Sequence, residues 1–378
     1  MRQRLRLEAD YRYNEFSGFF SVDGNYELAA QYWEGSGHDA VYAVLRSGYL
    51  SYDSEQFDFV VGSKIIRWGT GDGINPMDLI NPLDVRDPIA TGRADNRLPV
   101  WLASGTWFIG DWTLEGVFLP VASVEDIPKQ GNPWATQGLQ ELYKGEDEGQ
   151  LILDSQNVPD RWFRDVEVGA RLSRNFDGWD VAFIAYHGFV NSPVYGRYKT
   201  SSGIPEFRPE HPRFSAFGIN FAKGMGAGTI RGELAYKPQY PVARESSSNG
   251  IGRRDLWQGV IGGDYDFSGI YYVNIQFFTD AVSQYFSSSN DGFIGTKLWH
   301  GFTYELSRKL FRDDLKVGVR GKTYTSGDGG LIEVFSEYKL GDDWNLSTGV
   351  MVWTGANNGL LGQYDNNDLY YVTARYYF

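Results

Sequence analysis

The sequence predicts an all-β fold, a transmembrane antiparallel β-barrel of about sixteen strands, with eighteen as the second choice. Two observations predict it. Apolar and polar side chains alternate over many segments, and short turns alternate with long connections along the chain. Such alternation gives each strand one face for lipid and one for water. No run of about 18 apolar residues could cross a bilayer as a helix. A single domain is predicted to cover residues 1–378.

The first predicted strand, residues 3–13, shows the alternation most fully. One face is apolar or aromatic and consists of Leu5, Leu7, Ala9, Tyr11 and Tyr13. The opposite face is charged and consists of Arg4, Arg6, Glu8, Asp10 and Arg12. A face of this charge density beside a uniformly apolar one is unusual in a soluble sandwich, whereas it suits a strand between lipid and water. The same pattern returns at residues 166–173 and 315–322.

The number of strands is less certain than their existence. Inspection of the chain identifies seventeen candidate segments, which begin with residues 3–13 and 24–35 and end with 367–378. Single-chain bacterial barrels have an even number of strands, so one segment is miscounted, and the rhythm of connections places the error within residues 1–40. A barrel of about sixteen strands is too wide for side chains to fill and leaves an aqueous channel.

Composition gives little support for catalysis or for a bound cofactor. The chain has no cysteine and only four histidines, which are scattered at positions 38, 187, 211 and 300. No histidine pair has metal-ligand spacing, and a Gly-x-Ser-x-Gly motif is absent from the sequence. We therefore expect no enzyme activity, no cofactor and no metal site. Met1 leads directly into a strand, so we interpret the sequence as a mature protein without its export segment.

The C-terminal strand carries the most specific signal in the chain. Its apolar face ends at the terminus and consists of Tyr370, Val372, Ala374, Tyr376 and Phe378. A final strand of this pattern that ends in Phe resembles the assembly signal of bacterial outer-membrane β-barrels. The resemblance implies that Phe378 and Tyr376 are read by the barrel assembly machinery and that the last strand closes the barrel against the first. It also implies the outer membrane of a Gram-negative bacterium, with membrane lipid and lipopolysaccharide as neighbours.

The connection at residues 68–97 is the candidate constriction loop. Its Asn-Pro and Asp-Pro steps forbid a continuous helix and set tight turns, while its apolar residues need a surface to pack on. It either folds into the lumen or packs outside on neighbouring loops. Its candidate site residues are Asp72, Asn75, Asp78, Asn81, Asp84 and Arg86. The Arg67-Trp68-Gly69 ending of the preceding strand, with the turns after it, looks like porin-like families related to alginate exporters, which implies transport without identifying the cargo.

A second long connection, residues 122–160, carries eight acids and two bases, a formal charge of −6. Asn132 as N-cap, Pro133 at the first helical position and Gly145 after the end predict a helix over residues 134–144. We interpret the segment as a solvated acidic surface loop. Calcium binding by Glu146, Asp147 and Glu148 is a weaker alternative, because their spacing matches no known calcium loop.

The predicted inner face of the barrel is basic although the chain is acidic. On the seven clearest strands the water-facing positions hold twelve bases and seven acids, a difference of +5, whereas the whole chain has a net charge of −13. The candidate pore-lining residues are Arg171, Arg231, Arg320, Lys322, Arg375, Glu167 and Glu233. Together these features predict an outer-membrane channel for passive diffusion of small hydrophilic solutes, with a weak preference for anions. An export conduit or a scaffold barrel for a partner protein is the alternative, followed by a barrel enzyme. Nucleic acid is not an expected partner.

Overall fold

The computed structural model describes residues 2–28, 40–86, 96–244, 250–282 and 298–378. Its strands are β1 (Arg2–Tyr13), β2 (Phe16–Glu27), β3 (Val41–Asp53), β4 (Phe57–Lys64), β5 (Val100–Ile109), β6 (Trp112–Leu119), β7 (Ile152–Leu153), β8 (Glu167–Phe176), β9 (Trp179–Phe189), β10 (Val194–Lys199), β11 (Pro205–Glu210), β12 (Arg213–Met225), β13 (Gly228–Ala243), β14 (Ile251–Phe267), β15 (Tyr271–Val282), β16 (Leu298–Leu310), β17 (Leu315–Tyr324), β18 (Gly330–Leu340), β19 (Trp344–Thr354) and β20 (Leu369–Tyr376).

Seventeen of these strands form one antiparallel sheet, in which each strand pairs with its neighbours along the chain. Short turns join the strands at one end, and long connections join them at the other, which we call the outer end. The predicted fold class, a transmembrane antiparallel β-barrel, is confirmed. The sheet has one strand more than the preferred count of about sixteen. The remaining strands β7, β10 and β11 form a small separate sheet within the long connections.

The first hairpin differs from its prediction. The strand expected at residues 24–35 is β2 at Phe16–Glu27, and residues 29–35 lie outside the described part of the chain. Tyr13 pairs with Phe16, which leaves a turn of only Asn14 and Glu15. Asn14 has a φ of 51°, a conformation that Asn tolerates and that such two-residue turns require. The usual Asn-Gly signal is missing here, so the sequence pattern did not indicate this tight turn.

The two ends of the sheet run in the same direction. Because seventeen strands are joined by antiparallel neighbours throughout, β1 and β20 both run from the outer end towards the short-turn end. Within the described residues no hydrogen-bonded ladder joins β1 to β20. The pairing of the last strand with the first that the resemblance implied is therefore not observed among the described residues. An odd number of strands makes these two strands run parallel to each other.

Side chains divide between the two faces of the sheet as the alternation predicts. Outward positions expose large apolar groups, for example Leu5 at 52% and Val334 at 59%. Inward positions on the same strands carry charged groups such as Arg6, which bonds Asp23 on the next strand. Within the described ranges, no helix has the length and apolar character needed to cross a membrane.

The acidic connection contains the one α-helix found in the described residues, α1 (Gln137–Asp147). It begins later than predicted, because Thr136 is its N-cap and accepts the N–H of Leu139 at 3.2 Å. Asn132 instead closes a separate turn, in which its side chain accepts the N–H of Trp134 at 2.8 Å. The Asn132 side chain therefore caps a backbone N–H, as predicted, but it does so in the turn that precedes the helix.

Candidate functional site

The connection between β4 and β5 begins with a segment, residues 65–86, that lies inside the barrel; we call it the inner loop. It touches inward-facing side chains on widely separated strands. Trp68 Nε1 donates to Glu115 Oε2 on β6 at 3.0 Å, and the Gly73 N–H donates to Gln276 Oε1 on β15 at 3.1 Å. Since β6 and β15 are six strands apart in the sheet, the inner loop crosses the interior from one part of the wall to another. Residues 87–95 of the predicted loop lie outside the described ranges.

The tip of the inner loop is held by carboxylate hydrogen bonds. Glu233 on β13 accepts the backbone N–H of Gly71 at 2.7 Å and also that of Thr70. Asp72 accepts from Asn274 Nδ2 at 2.7 Å and from Arg231 at 2.5 Å. Hydrogen bonds to a carboxylate are stronger than neutral ones, and Glu233 is only 4% exposed. These bonds fix the tip against β13 and β15.

Apolar packing holds the body of the inner loop against the strands from β5 to β13. Met77 and Ile80 are at most 1% exposed, and Trp68 is 3% exposed. Glycines in the wall make room for two of them. A Cβ at Gly218 would lie 2.5 Å from Met77 Cγ, and one at Gly169 would lie 2.7 Å from Trp68 Cζ3. The surrounding core residues from the wall are Val100, Leu102, Val117, Leu119, Ile184, Tyr186 and Phe214.

The predicted constriction residues divide into three groups along the inner loop. Asp72 is at the tip, and Asn75 holds the turn behind it by donating to the Trp68 carbonyl at 2.9 Å. Asn81 ties the base together, because it accepts the Ile66 N–H and donates to the Leu98 carbonyl, both at 2.8 Å. Beside it, Asp78 Oδ2 accepts from Arg97 Nε at 2.9 Å.

The third group faces the outer end rather than the lumen. Arg86 bonds Asp84 at 2.9 Å and Asp126, in the acidic connection, at 2.6 Å. The Arg86–Asp126 ion pair joins the inner loop to the acidic connection above it. The structure thus places the predicted set in one continuous segment but brings only its first part to the tip.

Most predicted pore-lining residues on the inner face are paired. Arg320 forms a two-pronged bond to Glu333, with both distances 2.7 Å. Arg171 bonds Glu115 at 2.5 Å, and Glu167 is buried and accepts the Phe189 N–H at 2.8 Å. The others have the following contacts: Arg231 with Asp72 and Asp264, Lys322 over the rings of Phe278 and Tyr324, and Arg375 with the Tyr377 hydroxyl. Lys297, one of the twelve bases, lies outside the described residues.

Several residues that hold the inner loop were missed in the sequence. Glu115, Asn274 and Gln276 are polar residues at alternate, inward positions of β6 and β15. That alternation was a usable signal that they face the interior. Their partners are 47 to 203 residues away along the chain, so no local pattern could connect them to the inner loop.

The predicted assembly residues lie at the short-turn end. The Tyr376 ring is 4.9 Å from that of Trp344 and 6.3 Å from that of Phe378. Phe378 itself is 87% exposed. The terminal ring therefore contributes little burial to the folded barrel.

A strand-only wall with a loop across its interior defines the class of the protein, a porin-like transmembrane β-barrel. The chain belongs to the family described as DUF1302, a protein family of unknown function, whose model matches residues 9–323. No curated protein matched the chain in sequence.

Solved structures share the fold at low sequence identity. OccK9 (OpdG) of Pseudomonas aeruginosa is 10% identical, with a TM-score of 0.53 over 99% of this chain and 90% of its own. OccD3 (OpdP) of the same organism is 9% identical, with a TM-score of 0.52 over 99% of this chain and 86% of its own. OccAB2 of Acinetobacter baumannii is 10% identical, with a TM-score of 0.51 over 95% and 88%. These likenesses establish the fold.

Proposed function

We propose that this protein is a channel of the Gram-negative outer membrane through which small hydrophilic solutes diffuse passively. The observation that carries the proposal is the inner loop itself. It is anchored at Glu233 on β13 and Gln276 on β15 and packed through Trp68 and Met77 against β8 and β12, so it occupies part of the cross-section. A barrel of this size has room for a water-filled path beside such a loop. The inner loop would then set the size limit.

The wall beyond the inner loop supports a hydrophilic rather than an apolar cargo. On strands β16 to β20 and β1 to β3, the inward positions carry charged and hydroxyl groups. Among them are Glu305, Arg320, Tyr371, Arg6 and Ser51. Fixed charges and hydroxyl groups replace part of the hydration of a passing polar solute. An apolar solute would gain nothing from this surface.

Only a weak preference for anions is proposed. Each of Arg171, Arg231 and Arg320 is bonded to a carboxylate. The count of wall charges made from the sequence also omitted inward acids such as Glu115 and Asp264, which pair with these arginines. Paired charges largely cancel over a distance near the Debye length, about 10 Å at 0.1 M salt.

The test replaces residues 69–76 with a short Gly-Ser linker that leaves Trp68, Met77 and the base at Asn81 in place. We expect a larger single-channel conductance and uptake of larger sugars in liposome-swelling assays. The matched control shortens a connection that does not enter the lumen, residues 200–204, and should leave both values unchanged. A correctly folded linker variant with the conductance and size limit of the parent protein would contradict the proposed role of the inner loop.

A further inference from the structure

The acidic connection between β6 and β8, residues 122–160, crosses the outer end of the barrel; we call it the mouth strap. It leaves the sixth strand of the sheet, yet its middle contacts the connection between the sixteenth and seventeenth strands, β19 and β20. The sixth and sixteenth strands are ten strands apart along the sheet. The mouth strap therefore spans the opening from rim to rim.

The near side of the mouth strap is firmly attached. Asp126 accepts the N–H of Val85 in the inner loop at 3.0 Å and donates its own N–H to the Leu83 carbonyl at 3.1 Å, and the Glu125 N–H donates to the Asn191 carbonyl. On the return, β7 pairs with β11 in the small outer sheet, and the Asn157 N–H donates to the Pro209 carbonyl at 3.1 Å. Two roots held by backbone hydrogen bonds resist local opening, because several of these bonds must break together.

The far side of the mouth strap is attached by ring contacts and single hydrogen bonds rather than by backbone pairing. Trp134 lies with its ring 5.2 Å from that of Trp353 and 5.9 Å from that of Tyr364. Beside it the Gln137 N–H donates to Gln363 Oε1 at 2.8 Å, and Asn367 Nδ2 donates to the Pro133 carbonyl at 2.7 Å. We call this contact the latch. Tyr364 Oη also donates to the Trp134 carbonyl at 3.4 Å. No backbone ladder forms there among the described residues, so every hydrogen bond of the latch depends on a side chain.

We propose that the mouth strap is a gate, and that it opens by release of Trp134 from Trp353 and Tyr364 while both roots stay attached. This proposal rests on the channel function proposed above. A small side-chain contact opposite two backbone-paired roots is the part of the mouth strap with the lowest cost of opening. The closed arrangement places α1 over the mouth. Release of the latch frees α1 to swing towards the roots and uncovers the path to the inner loop.

The gate also adds charge to the mouth in the closed state. Helix α1 and the turn after it expose Glu141, Glu146, Asp147 and Glu148, against the single base Lys144. An acidic strap over a nearly balanced wall repels anionic solutes before they reach the inner loop. The closed gate is therefore a barrier of both size and charge, and opening relieves the two together.

The chain contains no cysteine, which allows the latch to be locked chemically. The test pair is Gln137→Cys with Gln363→Cys, joined by a short cleavable thiol cross-linker. The control pair, Gln130→Cys with Asp147→Cys, lies wholly within the mouth strap, where these side chains are in contact at 2.5 Å. Conductance of each purified protein is measured in planar bilayers before cross-linking, after it, and after cleavage of the linker.

We expect the latch cross-link to lower the open fraction about tenfold and cleavage to restore it, as for any two-state equilibrium held in one state. The control cross-link and its cleavage should both leave the open fraction unchanged. Trp134→Ala should raise the open fraction without altering the conductance of the open state. Trp162→Ala is its matched control, because Trp162 is half-exposed and its ring lies tilted against that of Trp101, outside the latch.

The outcomes separate the gate from the channel. Equal conduction by the parent protein and the locked latch pair would overturn the gate and leave the channel function standing. Absence of conduction from the parent protein, from Trp134→Ala and from the cleaved pair would overturn the channel function itself. Should Trp134→Ala fail to fold, Gln363→Ala removes the acceptor of the Gln137 N–H together with a local bond to the Leu360 carbonyl, and the cross-linking result remains decisive.

Discussion

The Glu233 carboxylate accepts the backbone N–H of Gly71 at 2.7 Å, although 162 positions separate these residues in the sequence. It joins the barrel wall to the tip of a loop that starts on the other side of the lumen. The same carboxylate bonds Thr70, so a single side chain on β13 fixes two successive peptide groups. The inner loop is held by this kind of specific polar contact at its tip and by apolar packing along its body.

Replacing Glu233 by Gln should loosen the tip of the inner loop. A neutral amide oxygen is a weaker acceptor, and the loss of a buried charge-assisted hydrogen bond costs about 1.5–3 kcal/mol. We expect faster hydrogen exchange in residues 68–77 and noisier single-channel current. Glu305→Gln, which removes a bond to Lys316 away from the inner loop, is the control. Unchanged exchange in Glu233→Gln would show that packing alone holds the tip.

The Arg320–Glu333 pair should set ion preference in opposite directions when it is broken from either side. Glu333→Gln leaves the Arg320 charge uncompensated and should increase anion preference, whereas Arg320→Gln leaves Glu333 and should favour cations. Reversal potentials in a salt gradient measure the ion preference of both variants. The double variant should return close to the parent protein. Shifts of the same sign in the two single variants would mean that the pair does not face the permeation path.

Deletion of Phe378 should impair assembly in cells but leave refolding in detergent or lipid intact. The terminal ring is 87% exposed and so adds little to the stability of the folded barrel. Its importance, by resemblance, lies in recognition by the assembly machinery. Membrane levels and in-vitro refolding yields are the two measurements, and Tyr377→Ala is the control on the other face of the strand. Normal membrane levels after deletion would refute this role.

Acidic pH should loosen the outer sheet around His211. Burial lowers the pKa of this imidazole below its usual value, which favours the neutral form in the folded state. The neutral ring donates from Nδ1 to the Val190 carbonyl and accepts at Nε2 from the Gln156 amide, each at 2.7 Å.

Because the folded pKa is depressed, the stabilisation is present above the ordinary value of about 6.5 and is lost as pH falls below it. We expect hydrogen exchange in residues 152–160 and 205–212 to accelerate between about pH 7.5 and about pH 5. In His211→Gln the pH dependence should disappear. If exchange accelerates equally in that variant, other groups control the opening of this sheet.

The sequence by itself determined the barrel, because alternation acts locally. Leu5 and Arg6 must face opposite sides of any strand that contains both, and the same rule orders each later segment. It also located the inner loop through its Asn-Pro turns. It failed at Asn14–Glu15, where a two-residue turn lacks the usual glycine, and at Asn132, where one cap signal fitted two neighbouring turns.

Only the tertiary structure decided where the loops go. Whether the inner loop lay inside or outside depended on Glu233, Gln276 and Gly218, which are remote in sequence and become its neighbours only when the wall curves. The same holds for Trp134 and Trp353, whose contact turns a surface loop into a strap across the mouth. Strand faces follow from the chemistry of adjacent residues, whereas loop positions follow from contacts that form only when the wall curves.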